Sequence, residues 1–109
     1  MTIQPLTAPA LATWLADAAR PQPLLLDVRE PWEFATCRLD DSRSVPMNEV
    51  PARLAEIDLD RPIVCICHHG ARSMQVAGFL AARGATDVHN LTGGVAAWAH
   101  QVDAAFPTY

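Results

Sequence analysis

Residues 62–84 read PIVCICHHGARSMQVAGFLAARG, and this stretch decides the fold class. Its first six residues form a short, largely apolar run that predicts a buried strand. A tight loop containing Gly70 follows, and a second apolar segment predicts a helix from about Arg72 to Arg83, with Gly84 suited to its C-cap. Apolar residues lie nearly all round this helix, so we expect it to be well covered. A strand that enters a helix through a tight loop is typical of an α/β protein.

The segments on both sides continue this alternation of strands and helices. The further predicted strands lie over 23–28, 43–46 and 86–91. The predicted helical segments are a helix from about Pro9 to Ala19 capped by Thr7, a short helix over 31–35, and helical turns from Val50 to Glu56. A last helix begins at Gly93-Gly94 and runs through Trp98. Such alternation predicts an α/β fold with a mainly parallel sheet. In these sheets ligands bind outside the carboxyl ends of the strands, where Asp27 and Cys67 are expected.

The composition limits the classes of protein that fit. A chain of 109 residues suits a single domain over 1–109, and half of its residues are hydrophobic. The net charge of −4 gives no indication of a nucleic-acid or anionic-membrane partner, and the absence of lysine excludes Schiff-base chemistry. The start has no signal-peptide pattern, and no apolar run approaches the roughly 20 residues that span a bilayer. We therefore expect a cytoplasmic protein whose three cysteines are free thiols.

The loop between the predicted strand and helix combines residue types that suit a reactive thiol. A helix N-terminus has unpaired N–H groups and partial positive charge, so a tight loop there can turn several N–H groups towards one anion. Cys67 would face that point as a thiolate. Gly70 permits positive φ, Arg72 can grip an oxyanion with two hydrogen bonds, and Ser73 can cap the helix or contact the cysteine sulfur. The predicted nucleophile is Cys67, and the predicted substrate-binding residues are His68, His69, Gly70, Ala71, Arg72 and Ser73.

The other thiols and the two adjacent histidines have less specific interpretations. Cys65 lies mid-strand and is expected to be packed and inert, whereas Cys37 lies in a predicted loop, could be exposed, and has no neighbour that suggests activation. The Cys65-to-His69 pattern contains zinc-ligand types, but its spacing is not a recognised zinc spacing, so no metal is expected. His68 and His69 could line the pocket, tune its charge, donate a proton, or have no role.

Three segments in this order resemble the rhodanese-like domains, the family of thiosulfate sulfurtransferases. They are residues 26–30 (LDVRE) with the following WEF, the Cys67 loop, and residues 91–94 (LTGG) with Trp98. The resemblance covers about 24–98 and implies a three-layer α/β/α fold with a central, mainly parallel, five-stranded sheet. It also implies that Asp27 and Arg29 hold the architecture, with direct substrate contact as the alternative, and that Gly93, Gly94 and Trp98 serve the fold. The Trp32 and Trp98 side chains are expected in the core first and in the pocket wall second.

This chain departs from the family pattern in one loop. Cys37 and Asp41 stand where the family usually has glycine. The local loop geometry is therefore open, and Cys37 is a candidate additional thiol near the pocket.

The resemblance implies a mechanism that needs no cofactor. Cys67 would attack the outer sulfur of thiosulfate or a similar small-molecule donor, and a persulfide would form as sulfite leaves. Cyanide, a thiol or a sulfur-relay protein would then accept the sulfur.

Three other functions remain open at this stage. A phosphatase or arsenate-reductase loop also joins a cysteine to an arginine, but it is one residue longer than the six residues from Cys67 to Arg72. A non-catalytic binding or regulatory module is the second alternative, although inactive family members commonly lack the cysteine. A persulfide carrier for a partner enzyme is the third, and its loop would look the same.

Overall fold

A computed structural model describes residues 3–109 and has one five-stranded sheet in which every neighbouring pair of strands is parallel. The strands are β1 (Ile3–Leu6), β2 (Leu24–Asp27), β3 (Arg43–Ser44), β4 (Ile63–Ile66) and β5 (Val88–Leu91), in the spatial order β1-β5-β4-β2-β3. The predicted α/β class and the five-stranded sheet are confirmed. No strand is predicted at β1, where Pro5 lacks a backbone N–H group for pairing. β1 is an edge strand, where that loss is tolerated.

Four helices cover the two faces of the sheet: α1 (Ala8–Ala16), α2 (Pro31–Thr36), α3 (Ala71–Ala82) and α4 (Gly94–Gln101). Strand β4 shows how the layers arise, because successive side chains point to opposite faces. Ile63 and Cys65 pack into the core beneath α3. Val64 and Ile66 pack into the core beneath α1 and α4. The central strand is therefore apolar on both faces, which explains its continuous apolar run.

The helix ends follow from local side-chain chemistry. Thr7 is the N-cap of α1, and its hydroxyl oxygen accepts a hydrogen bond from the backbone N–H of Ala10 at 3.2 Å. The helix ends at Ala16 rather than at Ala19, because the Asp17 carboxylate accepts from the Ala19 N–H at 3.0 Å and turns the chain away. Within the helical turns predicted from Val50 to Glu56, the structure has one 3-10 turn, Leu54–Glu56, and a second 3-10 turn, Met47–Glu49, lies just before them.

Two predictions about burial are wrong. The helix α3 is covered on one face only, since the sheet lies against Val76, Ala77 and Leu80 while Met74 on the outer face is 43% exposed. Trp32 is expected in the core but is 61% exposed, because α2 is a short helix with its buried side turned to the site through Glu33. Trp98 is half-buried against the core beneath α4. Within residues 3–109, no helix has the length and apolarity needed to cross a membrane.

Candidate active site

The carboxyl ends of β2 and β4 bring the predicted site residues to one edge of the sheet. Asp27, the last residue of β2, pairs in register with Ile66, the last residue of β4. Cys67 follows Ile66 directly, and α3 begins four residues later at Ala71. The loop therefore lies where parallel α/β sheets place their ligand sites.

The sulfur of Cys67 is surrounded by hydrogen-bonding groups from its own loop. The backbone N–H of Gly70 donates to Cys67 Sγ at 3.0 Å, and Ser73 Oγ lies 3.2 Å from the same sulfur. Gly70 reaches this position with a left-handed backbone, φ +107°, that favours glycine. Cys67 is almost fully buried, at 1% exposure. A negative charge on this sulfur, as thiolate or persulfide, would meet the N-terminal end of α3.

Asn90 completes the support for Ser73 and is absent from the predicted site. Its Oδ1 atom lies within hydrogen-bonding distance of Ser73 Oγ, and its Nδ2 group donates to the Gly70 carbonyl at 3.1 Å. The Ser73 hydroxyl has one hydrogen and faces both the sulfur and Asn90 Oδ1. The signal for this role is an asparagine inside a strand that is predicted to be buried, because a buried amide needs partners.

The N-terminus of α4 fixes the backbone of the loop from the other side. The Val95 N–H donates to the Cys67 carbonyl at 2.9 Å, and the Ala96 N–H donates to the His68 carbonyl at 3.1 Å. Gly94 makes this approach possible, because it has φ +60° and a Cβ atom there would overlap both carbonyl oxygens. The LTGG segment thus positions the loop as well as starting the helix.

Arg72, a predicted substrate-binding residue, is paired with a carboxylate in the structure. Its Nη1 and Nη2 atoms lie 2.7 and 2.9 Å from Glu33 Oε1 and Oε2, a bidentate ion pair. These hydrogen bonds lower the pKa of Glu33 to about 2, against the opposing effect of burial. The sequence does not reveal this pair, because Glu33, on α2, is close to Arg72 only in the folded chain, and the role of Arg72 in substrate binding stays a prediction. Of the predicted loop, His69 and Ala71 are exposed and make no side-chain hydrogen bond to Cys67.

Asp27 and Arg29 form a second ion pair, fully buried at the base of the site. Arg29 Nε lies 2.9 Å from Asp27 Oδ1, Nη2 lies 2.7 Å from Oδ2, and both side chains are 0% exposed. The guanidinium also donates to the carbonyls of Glu33 at 3.3 Å and Cys37 at 2.6 Å. Every donor direction is used, which is the condition for burying such a pair without a large penalty. This placement matches the architectural role that the resemblance implies.

Tyr109 links the two ion pairs and is absent from the predicted site. Its hydroxyl donates to Glu33 Oε2 at 2.7 Å and accepts from Arg29 Nη1 at 3.0 Å. Burial, reinforced by Glu33, raises the pKa of Tyr109 to about 12, although Arg29 opposes this rise. Its ring stacks on His68, with centroids 4.1 Å apart. Burial and the neighbouring His69 lower the pKa of His68, which favours the neutral imidazole.

The comparison with known families decides what kind of domain carries this site. Residues 11–101 match the family described as "Rhodanese-like domain". The chain belongs to this family. A rhodanese-like domain protein from Staphylococcus aureus has the same fold, with a TM-score of 0.83, 26% identity and coverage of 98% of this chain and 99% of that one.

Two relatives with assigned activities are similar over most of their length. A sulfurtransferase from Allochromatium vinosum is 43% identical over 76 residues, which are 70% of this rhodanese-like chain and 71% of the relative. The thiosulfate sulfurtransferase GlpE of Pseudomonas syringae is 36% identical over 84 residues, covering 76% and 79% of the two chains. Together with the family match, these relatives support a sulfurtransferase as the general class of enzyme.

The two remaining cysteines of this rhodanese-like domain are both buried. Burial raises the pKa of Cys65 to about 12, which agrees with a packed and inert thiol. Cys37, whose exposure the sequence leaves open, is the C-cap of α2 and is 6% exposed. Its Sγ lies 3.7 Å from Arg29 Nη1, so the guanidinium that packs the base of the site also packs this thiol. Asp41, the other departure from the family pattern, adopts φ +62°, a left-handed conformation that Asp tolerates.

Proposed function

We propose that this chain moves sulfane sulfur from thiosulfate or a similar donor to a thiophilic acceptor through a persulfide on Cys67. The observation that carries the proposal is the position of Cys67 Sγ, which receives the Gly70 N–H at 3.0 Å and faces Ser73 Oγ at 3.2 Å. A single sulfur atom is held at the end of a parallel strand and at the start of a helix. This arrangement suits a nucleophile that carries negative charge before and after it takes up a second sulfur.

In the first step the Cys67 thiolate attacks the outer sulfur of thiosulfate. The new Cys67 S–S bond forms as the S–S bond of the donor breaks, and sulfite leaves with the bonding electron pair. In the second step cyanide or a thiolate attacks the outer sulfur of the persulfide and regenerates the Cys67 thiolate. The Gly70 N–H would stabilise the negative charge in each state, because it already points at the sulfur.

The geometry favours sulfur transfer over phosphate chemistry. The loop from Cys67 to Arg72 is one residue shorter than a phosphatase loop, and Glu33 already balances the Arg72 charge, which weakens the attraction for a phosphate dianion. A persulfide carrier would use the same Cys67 intermediate and differs in its acceptor, which would be a sulfur-relay protein. The donor, the acceptor and a cytoplasmic location stay predictions.

Intact-mass analysis after thiosulfate treatment tests the proposal. We expect the wild type to gain the mass of one sulfur atom, and we expect cyanide or a dithiol to remove it. Cys67→Ser should lose the gain, whereas Cys65→Ser, which removes a buried thiol of the adjacent strand, should keep it. A gain that survives Cys67→Ser would move the nucleophile to another cysteine. Hydrolysis of an aryl phosphate without any persulfide would support the phosphatase alternative instead.

A further inference from the structure

Each of the two guanidinium groups beside the loop is matched by one carboxylate. Arg29 pairs with Asp27 at 2.7 Å, and Arg72 pairs with Glu33 at 2.7 Å. The four side-chain charges therefore sum to zero. The remaining attraction for an anion comes from backbone N–H groups, whose partial charges are weaker than that of a free guanidinium.

Glu33 is held so that it cannot leave Arg72 easily. Oε1 accepts from Arg72 Nη1 at 2.7 Å and from the Glu30 N–H at 3.0 Å. Oε2 accepts from Arg72 Nη2 at 2.9 Å and from the Tyr109 hydroxyl at 2.7 Å. The Glu33 side chain is 5% exposed and the Arg72 side chain is 34% exposed, so solvent reaches this pair only from the Arg72 side. Each carboxylate oxygen has two donors, and the arrangement fixes a negative charge beside the loop.

Arg72 is also electrostatically coupled to the nucleophile. Its hydrogen bonds to Glu33 raise the pKa of Arg72, and a negative charge on Cys67 adds to the rise. Arg72 is the second residue of α3, directly after the loop, so a change in the charge balance of the Glu33–Arg72 pair changes the net charge that an anion bound at the loop meets.

We infer that Glu33 is a positioning residue that sets donor specificity: by neutralising Arg72, it makes the loop select sulfane donors with one negative charge over donors with two. This inference rests on the proposed function and names the donor class for the same site. Thiosulfonates, R–SO₂–S⁻, belong to the favoured class, whereas thiosulfate carries two charges. The loop discriminates against thiosulfate, because both guanidinium groups beside the loop are already paired and neither is left for the second negative charge.

The transfer from a thiosulfonate is balanced in the same way as that from thiosulfate. The Cys67 thiolate attacks the outer sulfur, and the Cys67 S–S bond forms. The S–S bond of the donor breaks, and the sulfinate R–SO₂⁻ leaves with its electron pair. Two negative charges enter the step and two leave it, with no external oxidant or reductant.

The test compares thiosulfate with methanethiosulfonate, in which a methyl group replaces one charged oxygen. We expect wild-type kcat/KM to favour methanethiosulfonate. Glu33→Gln keeps the shape of the side chain and frees Arg72, so the ratio should move about tenfold towards thiosulfate, which is the effect of one additional charged hydrogen bond. Arg72→Gln removes the cation and should move the ratio in the opposite direction, which provides a second variant if Glu33→Gln folds poorly.

A control at a distance from the site separates a local charge effect from a general one. Asp60→Asn removes an exposed carboxylate that precedes β4, at the opposite end of the sheet. This variant should leave the donor ratio within about twofold of the wild type. The inference is overturned if Glu33→Gln lowers kcat/KM for both donors equally, if the ratio does not move, or if the control moves it as far.

A binding experiment keeps the inference separate from the proposed function. In the Cys67→Ser background, which cannot turn over, isothermal titration with sulfate and with methanesulfonate compares two charges with one. Adding Glu33→Gln should strengthen sulfate binding about tenfold relative to methanesulfonate. If the wild type forms no persulfide but Glu33→Gln still strengthens sulfate binding, only the proposed function is rejected. Absence of the shift would reject the role of Glu33 alone.

Discussion

The sulfur of Cys67 depends on neutral donors, and Ser73 is the side chain among them. Its hydroxyl lies 3.2 Å from the sulfur, 3.3 Å from the Gly70 carbonyl oxygen and within hydrogen-bonding distance of Asn90 Oδ1, so three acceptors compete for one proton. When the sulfur carries negative charge, the Ser73 hydroxyl makes a stronger hydrogen bond by donating to the sulfur. Ser73 thus joins the chemistry of the loop to the buried polar residue of β5.

Replacing Ser73 by alanine tests this role. We expect Ser73→Ala to slow persulfide formation from thiosulfate about tenfold, because the thiolate loses one hydrogen bond of the charged kind. Stability should fall by about 1–2 kcal/mol, since Asn90 Oδ1 is left buried without its donor. Stopped-flow single-turnover kinetics and thermal unfolding measure the two effects. Ser42→Ala, whose hydroxyl donates to the Leu39 carbonyl in a turn, is the matched control and should keep the rate. Equal rates for both variants would contradict a role for Ser73 at the sulfur.

At the scale of elements, the N-terminus of α4 fixes the backbone of the Cys67 loop through hydrogen bonds. Its first turn donates two N–H groups to the carbonyls of Cys67 and His68, so it offers its unpaired donors to the loop rather than to a ligand. The close approach requires that Gly94 have no side chain. The loop therefore has a fixed backbone before any donor binds.

Gly94→Ala should displace the loop and destabilise the fold. The added Cβ overlaps two backbone carbonyls and meets a left-handed φ of +60°, so we expect a loss of about 2–4 kcal/mol together with most of the activity. Gly78→Ala, within α3, is the matched control, because a Cβ atom at Gly78 would contact only Ile3 Cδ1 of β1, at 3.9 Å. That variant should be neutral or stabilised by up to about 1 kcal/mol. Urea denaturation of both variants measures the difference. A Gly94→Ala protein as stable as Gly78→Ala would show that the loop does not depend on this contact.

Elements with a strong local signal could be predicted from the sequence. The buried strand before Cys67 and the helix after Gly70 lie within about two residues of their predicted bounds, because apolar runs and glycine act locally. β1 could not be found from local signals, since its role depends on pairing with β5 at the sheet edge. The outer face of α3 could not be predicted either, because coverage depends on which elements pack there, and periodicity does not report that.

At the scale of the whole molecule, the site is built by contacts between distant parts of the chain. Glu33 is 39 positions from Arg72, and Tyr109 is 76 positions from Glu33. The sequence predicts an arginine that faces an anion because it shows the residue without its partner. Loop position and residue type could be predicted from local rules, but the charge balance of the site depends on the tertiary fold that brings α2 and residue 109 to the loop.

The same long-range pair makes the stability of the fold depend on acid. The pKa of Glu33 is about 2 in the folded chain, against an ordinary value of 4.5, because Arg72 stabilises the carboxylate. A lowered pKa in the folded state means that the stabilisation is complete above the unfolded pKa and is lost as the pH falls towards the folded value. The contribution is on the order of 3 kcal/mol at neutral pH for this 5% exposed side chain.

The difference in unfolding free energy between Glu33→Gln and the wild type should therefore disappear in acid. We expect the variant to be less stable at neutral pH, and we expect the gap in unfolding free energy to narrow between about pH 4.5 and pH 2, as the wild-type carboxyl takes up its proton. Urea denaturation across this range measures the gap. The unfolding free energy of Asp60→Asn, which removes an exposed carboxylate, should change with pH in the same way as that of the wild type over the whole range. A constant gap between Glu33→Gln and the wild type would mean that Glu33 stabilises the fold by packing alone, because only the ionised carboxylate can account for a contribution that disappears in acid.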